Sequence, residues 1–208
     1  MIYKRMAKCL TQYLIKKNMI VKENHQLITY CMERKISEMC NLILLILIGL
    51  LLSKAHHILL FISFYSSLRR ASGGYHAKTH SKCITGFTIY MFIGLWIAKL
   101  LVNFGNVGVI TFLMWIITFV IVTSFAPVGC ENKVLTDDTK YVLRKKSLKV
   151  LMIQLLIYGL LILKFNYLID VISILSVASL FQSFTLLPIR NEQSKLWLVS
   201  KKEASYEY

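Results

Sequence analysis

The chain has 208 residues, 56% of them hydrophobic, and a formal charge of +15, with a mean hydropathy of +0.59. With only two prolines and nine glycines, this composition excludes an ordinary soluble domain and leaves no room for a large one beside a bilayer-embedded core. The lysines and arginines lie in the breaks between apolar runs, the pattern of charges held beside anionic lipid rather than of a nucleic-acid surface.

Residues 1–35 predict an amphipathic helix or helix pair. Met6, Leu10, Tyr13 and Leu14 recur at helical spacing on one side, with Lys8, Lys16 and Lys17 on the rest. Such a segment lies in the headgroup region with its apolar face down, although packing against the cytoplasmic side of a bundle fits the same pattern. The basic start has no compact apolar core followed by small residues, so it does not read as a signal peptide.

Six apolar runs follow, at about 36–52, 58–68, 84–102, 107–126, 148–165 and 167–188. The third, fourth and sixth approach the roughly 20 residues a helix needs to cross the hydrocarbon. The first two are short and form either a hairpin broken at "SKAHH" (53–57) or one long helix. One long helix would put the basic N-terminus and the basic segment 69–83 on opposite sides of the membrane, against the positive-inside rule. The hairpin puts both inside, and the uncharged "NFGN" (103–106) outside. The expected fold is therefore an all-α integral membrane protein with about six transmembrane helices, two of them short. Its termini are cytoplasmic, and residues 1–35, 36–190 and 191–208 form an interfacial segment, a membrane domain and a polar tail. His56 and His57 are expected at an outer interface or in a wet pocket. The five cysteines show no paired spacing and predict no disulfides.

Chemistry concentrates in "LRRASGGYHAKTHSKC", residues 68–83. As a plain basic loop it would place Arg69, Arg70, Lys78 and Lys82 on lipid phosphates, which leaves Gly73-Gly74, the histidines and the cysteine unexplained. As a metal site it would use His76, His80 and Cys83, whose spacing of four and three places them on one helical face. The four surrounding cations oppose a divalent ion. The same cations favour a third reading, a cysteine nucleophile with a histidine base, because nearby positive charge lowers a thiol's pKa from its usual ~8.5. On a straight helix, residues seven apart are separated by roughly 10 Å along the axis. His80 is then the partner of Cys83, and His76 can be only if the chain turns. Gly73 and Gly74 supply backbone freedom just before His76.

Arg-Arg, Gly-Gly, one residue, His, and Cys seven further on, inside a basic multi-span chain of this length, resembles the signature of the accessory gene regulator B (AgrB) family. "APVGCENKVL" (126–135) is similar to that family's Ala-Pro followed by a polar, lysine-containing loop. The resemblance implies a cysteine endopeptidase of the bacterial cell membrane that processes quorum-sensing peptide precursors. Cys83 would be the nucleophile and His76 the general base, with Arg70, Gly73 and Gly74 in support, no metal and no cofactor. The implied partners are the precursor peptide and the anionic membrane, without nucleic acid; a homodimer is compatible with so small a bundle. His80 would make a local polar contact. No third, orienting residue stands out: Glu33 and Glu38 read better as helix-surface ion pairs with Arg34 or Lys35. The competing class is a membrane transporter or channel component, supported by Lys99 and Asp170 within apolar runs. Both residues lie close to run ends, where snorkelling also accounts for them.

Overall fold

The computed structural model describes residues 2–17, 25–74, 80–128, 137–164 and 168–187. These form seven helices and no strand: α1 (Ile2–Lys16), α2 (His25–Leu51), α3 (Ala55–Ser72), α4 (His80–Val102), α5 (Val107–Phe125), α6 (Asp137–Lys164) and α7 (Ile169–Phe184). By internal contacts the chain divides into residues 1–59 with 77–90, and residues 60–76 with 91–208. Helices α3 and α4 each run from one unit into the other.

In the first unit α1 packs along α2. Its inner face is small: Ala7 and Thr11 are fully buried, and Thr11 donates its hydroxyl to the Ala7 carbonyl at 2.8 Å. Met6, Leu10 and Tyr13 stay outside, beside exposed Arg5, Lys8, Lys16 and Lys17. The apolar stripe seen in the sequence thus faces away from the protein. Helix α2 continues through the boundary at residue 35 without a break. Lys35 and Glu38 pair on its surface at 3.4 Å, as expected for Glu38, and an exposed pair of this kind adds little stability.

The first two apolar runs belong to two helices, not one. Ser53 has φ of 54°, and Lys54 N–H donates to the Gly49 carbonyl at 2.7 Å while Ser53 N–H donates to Leu50 at 3.0 Å. One left-handed residue satisfies the carbonyls left open where α2 ends. Both helices are longer than their apolar runs, with 27 and 18 residues, because their polar flanks stay helical.

Among the described residues, three helical stretches are long and apolar enough to cross a membrane: Ile84–Val102, Val107–Phe125 and Thr139–Lys164; Ile169–Phe184 is apolar but shorter. Their outward residues are those that lipid solvates, including Trp96, Phe112, Ile117, Met152 and Leu156. Lys99 and Asp170, which supported a transporter, are both exposed at helix ends, in the last turn of α4 and the first turn of α7.

The second unit is built around α7, where every residue from Ile172 to Ser183 is buried. Its apolar core joins Leu68, Trp115, Val122, Leu151, Tyr158 and Ile172. Polar side chains are inside as well. Serines recur at 173, 176 and 179 along α7. Trp115 Nε1–H donates to Ser176 Oγ at 3.0 Å. Ser179 donates to Gln154 Oε1 at 3.2 Å, while Gln154 Nε2 donates to Ser67 Oγ and to the Phe64 carbonyl, each at 2.9 Å. Small residues permit close helix approach in a bilayer, and interhelical hydrogen bonds replace the hydrophobic effect that lipid removes. Ser176→Ala, which leaves the indole N–H of Trp115 unpaired, is expected to cost about 1–2 kcal/mol of unfolding free energy in detergent. Ser63→Ala on the exposed side of α3 is expected to leave it unchanged.

Candidate active site

The arginines of the signature end α3, where cations oppose the negative end of the helix. They are not equivalent. Arg69 is half-buried and donates Nη1–H to the Tyr65 hydroxyl at 3.0 Å, with its guanidinium 5.8 Å from the Tyr65 ring centre. Arg70 is exposed and donates Nε–H to the Ser66 carbonyl one turn back, at 3.2 Å.

The next residues turn the chain. Gly73 N–H donates to the Arg69 carbonyl at 3.0 Å and closes the helix. Gly73 has φ of 74° and Gly74 of 132°, conformations that side chains oppose. A Cβ on Gly73 would run into the carbonyl oxygen of Val128, and one on Gly74 would lie 2.5 Å from Thr185 Oγ1. The two signature stretches noticed separately in the sequence meet here. Ala126 caps α5 through its N–H to Val122, Pro127 follows through a cis bond, and Val128 forms a parallel bridge with Gly73. Val128 N–H donates to the Ser72 carbonyl at 2.9 Å. Arg144 of α6 reaches the same end of α5, donating to the Thr123 carbonyl at 3.3 Å.

Helix α7 holds the turn from the third side. Gln182, fully buried, donates Nε2–H to the Gly73 carbonyl at 2.9 Å and to Ser72 Oγ at 3.3 Å. Thr185 donates its hydroxyl to the Gln182 carbonyl at 2.7 Å. Neither residue was singled out in the sequence, where both sit inside an apolar run.

Of the expected pair, His76 lies outside the described residues. Cys83 is the fourth residue of α4, which begins at His80, so its backbone is in the first turn of that helix. Of the expected supports, Gly73 and Gly74 form the turn and Arg70 lies one turn before it. The metal alternative falls on His76 and on the side chains of His80 and Cys83, which are likewise outside the described set. Among the described residues no group of three metal-binding side chains is present.

A sequence model of the family described as accessory gene regulator B matches residues 7–186. The chain belongs to the AgrB family. Two relatives from Clostridium perfringens agree: the "Putative AgrB-like protein" of strain SM101 is 32% identical over 140 residues, and the "Putative AgrB-like protein 2" of strain 13 is 33% identical over 142. Each match covers 65% of this chain and spans 65% of the relative's length. No solved structure matches. AgrB membership and the three membrane-length apolar helices among the described residues make this a membrane protein. The AgrB match takes in both the glycine turn and its Val128 partner.

Proposed function

We propose that the chain is a membrane-embedded cysteine endopeptidase that removes the C-terminal tail of a short quorum-sensing precursor and closes the remaining signal peptide into a thiolactone or lactone. The observation that carries this reading is the placement of Cys83 in the first turn of α4, nine residues beyond a glycine turn shared with the AgrB signature. A helix N-terminus and neighbouring cations both favour thiolate over thiol. Six crossings, with the basic segments at the inner face, remain the arrangement that best satisfies the positive-inside rule. The outward stripe of Met6, Leu10 and Tyr13 on α1 suits an inner-leaflet interface, where an amphipathic precursor leader would also lie. An acidic precursor tail would be drawn to the same basic face.

In the first step His76 takes the proton from Cys83 Sγ, and the thiolate attacks the carbonyl carbon at the junction of signal and tail. The developing oxyanion is held by the Cys83 backbone N–H and Arg70. The C–N bond then breaks, His76 returns the proton to the departing amine, and the tail leaves a thioester on Cys83. In the second step an internal cysteine thiol or serine hydroxyl of the peptide gives its proton to His76 and attacks the thioester carbonyl. The ring forms, and Cys83 leaves as a thiolate that recovers the proton. Thioester exchange is nearly energy-neutral for a thiol, so holding the internal nucleophile close decides for the ring, and excluding water suppresses hydrolysis.

Co-expression with a candidate precursor that has an amphipathic leader and an acidic tail, followed by mass spectrometry, tests the reading. The expected product is a truncated peptide lighter by one water than the linear acid, formed equally well with EDTA present. Intact precursor would overturn the proposal, and zinc-restored activity after EDTA would move it to the metal alternative.

A further inference from the structure

Helix α1 buries small side chains and exposes large ones. Ala7 and Thr11 are fully covered in the seam with α2. Met6, Leu10 and Tyr13 are 51%, 43% and 57% exposed. A helix held by protein alone would gain far more by covering the large residues than the alanine. The order of faces around the axis explains the choice. At about 100° per residue, Met6, Leu10 and Tyr13 share one narrow arc. Ala7 and Thr11 lie roughly 100–140° to one side of Met6, and Arg5 and Lys16 roughly 80–100° to the other. Helix α2 therefore lies beside the stripe and not beneath it. Arg5, Lys8, Lys16 and Lys17 are all exposed, and residues 2–17 contain no acid.

An apolar stripe with cations on one flank fits a surface that offers hydrocarbon just below a layer of negative charge. An anionic bilayer has that order of layers. Tyr13 suits the boundary, since its ring is apolar and its hydroxyl prefers water. Lys17 continues the stripe at its end, where a long stem can lie on hydrocarbon while the ammonium stays at headgroup level. We propose that α1 binds the surface of an anionic bilayer through Met6, Leu10 and Tyr13 while the Ala7–Thr11 seam stays on α2, so that phospholipid charge sets how firmly this helix is held. The seam is built from small side chains and covers little apolar area, so α2 holds α1 in register but only weakly. Lipid supplies the rest, through burial of the stripe and attraction of the cations. This contact is independent of the peptidase reading, because neither Cys83 nor a precursor enters it.

Trypsin reads the contact directly, because Arg5, Lys8, Lys16 and Lys17 put its cleavage sites on α1. The full-length protein is placed at one copy per nanodisc, which leaves both membrane faces open to the protease. Rates are normalised to a small chromogenic trypsin substrate. In discs with about one-third phosphatidylglycerol at low salt, cleavage within α1 is expected to be on the order of tenfold slower than in pure phosphatidylcholine. Salt at ~1 M is expected to erase that difference. The triple variant Met6→Gln, Leu10→Gln, Tyr13→Gln leaves the seam intact and keeps a good helix former at each position. It is expected to be cut on the order of tenfold faster than wild type in the anionic discs. Equal wild-type rates in the two lipids would overturn the proposal, as would protection that survives in the triple variant, since α2 alone would then hold α1. Protection that appears only with two copies per disc would overturn it too, and would make the stripe a contact between copies. If the triple variant fails to accumulate, the lipid and salt dependence of the wild-type chain decides.

Discussion

Replacing Cys83 by alanine or by serine is expected to abolish precursor cleavage, to a background at least ~10⁴-fold below wild type, while the protein reaches the membrane at its normal level. On the proposed mechanism alanine removes the attacking atom. Serine keeps its position but presents a hydroxyl whose proton an imidazole removes far less readily than a thiol's. His76→Ala should do comparable damage, and His80→Ala much less. Selective alkylation checks the same point without substrate. At mildly acidic pH iodoacetamide should modify Cys83 ahead of Cys9 and Cys31, which are exposed, and Cys40, which is half-buried. Cleavage that persists in Cys83→Ala would exclude the nucleophile, and loss confined to His80→Ala would reassign the base.

Gly73→Ala should be nearly as damaging although it removes no reacting group. A φ of 74° costs an alanine roughly 1–2 kcal/mol. The steric clash costs more, because the new methyl would run into the Val128 carbonyl oxygen. That oxygen belongs to a backbone anchored by the Val128 N–H bond to Ser72 at 2.9 Å, so relief means parting the two signature segments. Backbone strain and clash together amount to at least ~3 kcal/mol and a loss of cleavage on the order of 10²-fold or more. Gly74→Ala should be costly as well, since a φ of 132° suits alanine even less than 74° does, although its nearest obstacle is a threonine hydroxyl rather than a backbone carbonyl. Gly105→Ala meets open space and should be neutral. Thermal unfolding in detergent with parallel cleavage assays gives the order, and equal behaviour of the 73 and 105 variants would refute the turn.

The run that became α5 was legible almost to the residue, and so was the end of α4, because uniform hydropathy ends sharply at "NFGN" and at Ala126-Pro127; α4 itself starts at His80, four residues ahead of its apolar run. The break at Ser53 was visible as a cluster of polar residues, though only the backbone distinguishes a hairpin from one long helix. The starts of α2 and α6 were not legible, since both helices begin in polar sequence well before their apolar stretches. The serines at 173, 176 and 179 did carry a signal, a repeat of three within an apolar run, but hydropathy averages it away. Gln182 and Val128 were hidden for a different reason. Their value comes from pairing with Ser72 and Gly73 across long separations, and no local pattern encodes such a partner. The resemblance drew attention to both segments, while their meeting at Gly73 and Val128 could be read only from the structure.

The grip of Gln182 on Gly73 joins residues 109 positions apart. While the protein is being made, the glycine turn therefore leaves the ribosome long before the helix that locks it. α7 is short and lined with serines, and its buried face finds partners only in helices made before it. A nascent chain stopped after α6 would carry the glycine turn without the buried amide that holds its carbonyl, so the turn gains this lock only once α7 has been made.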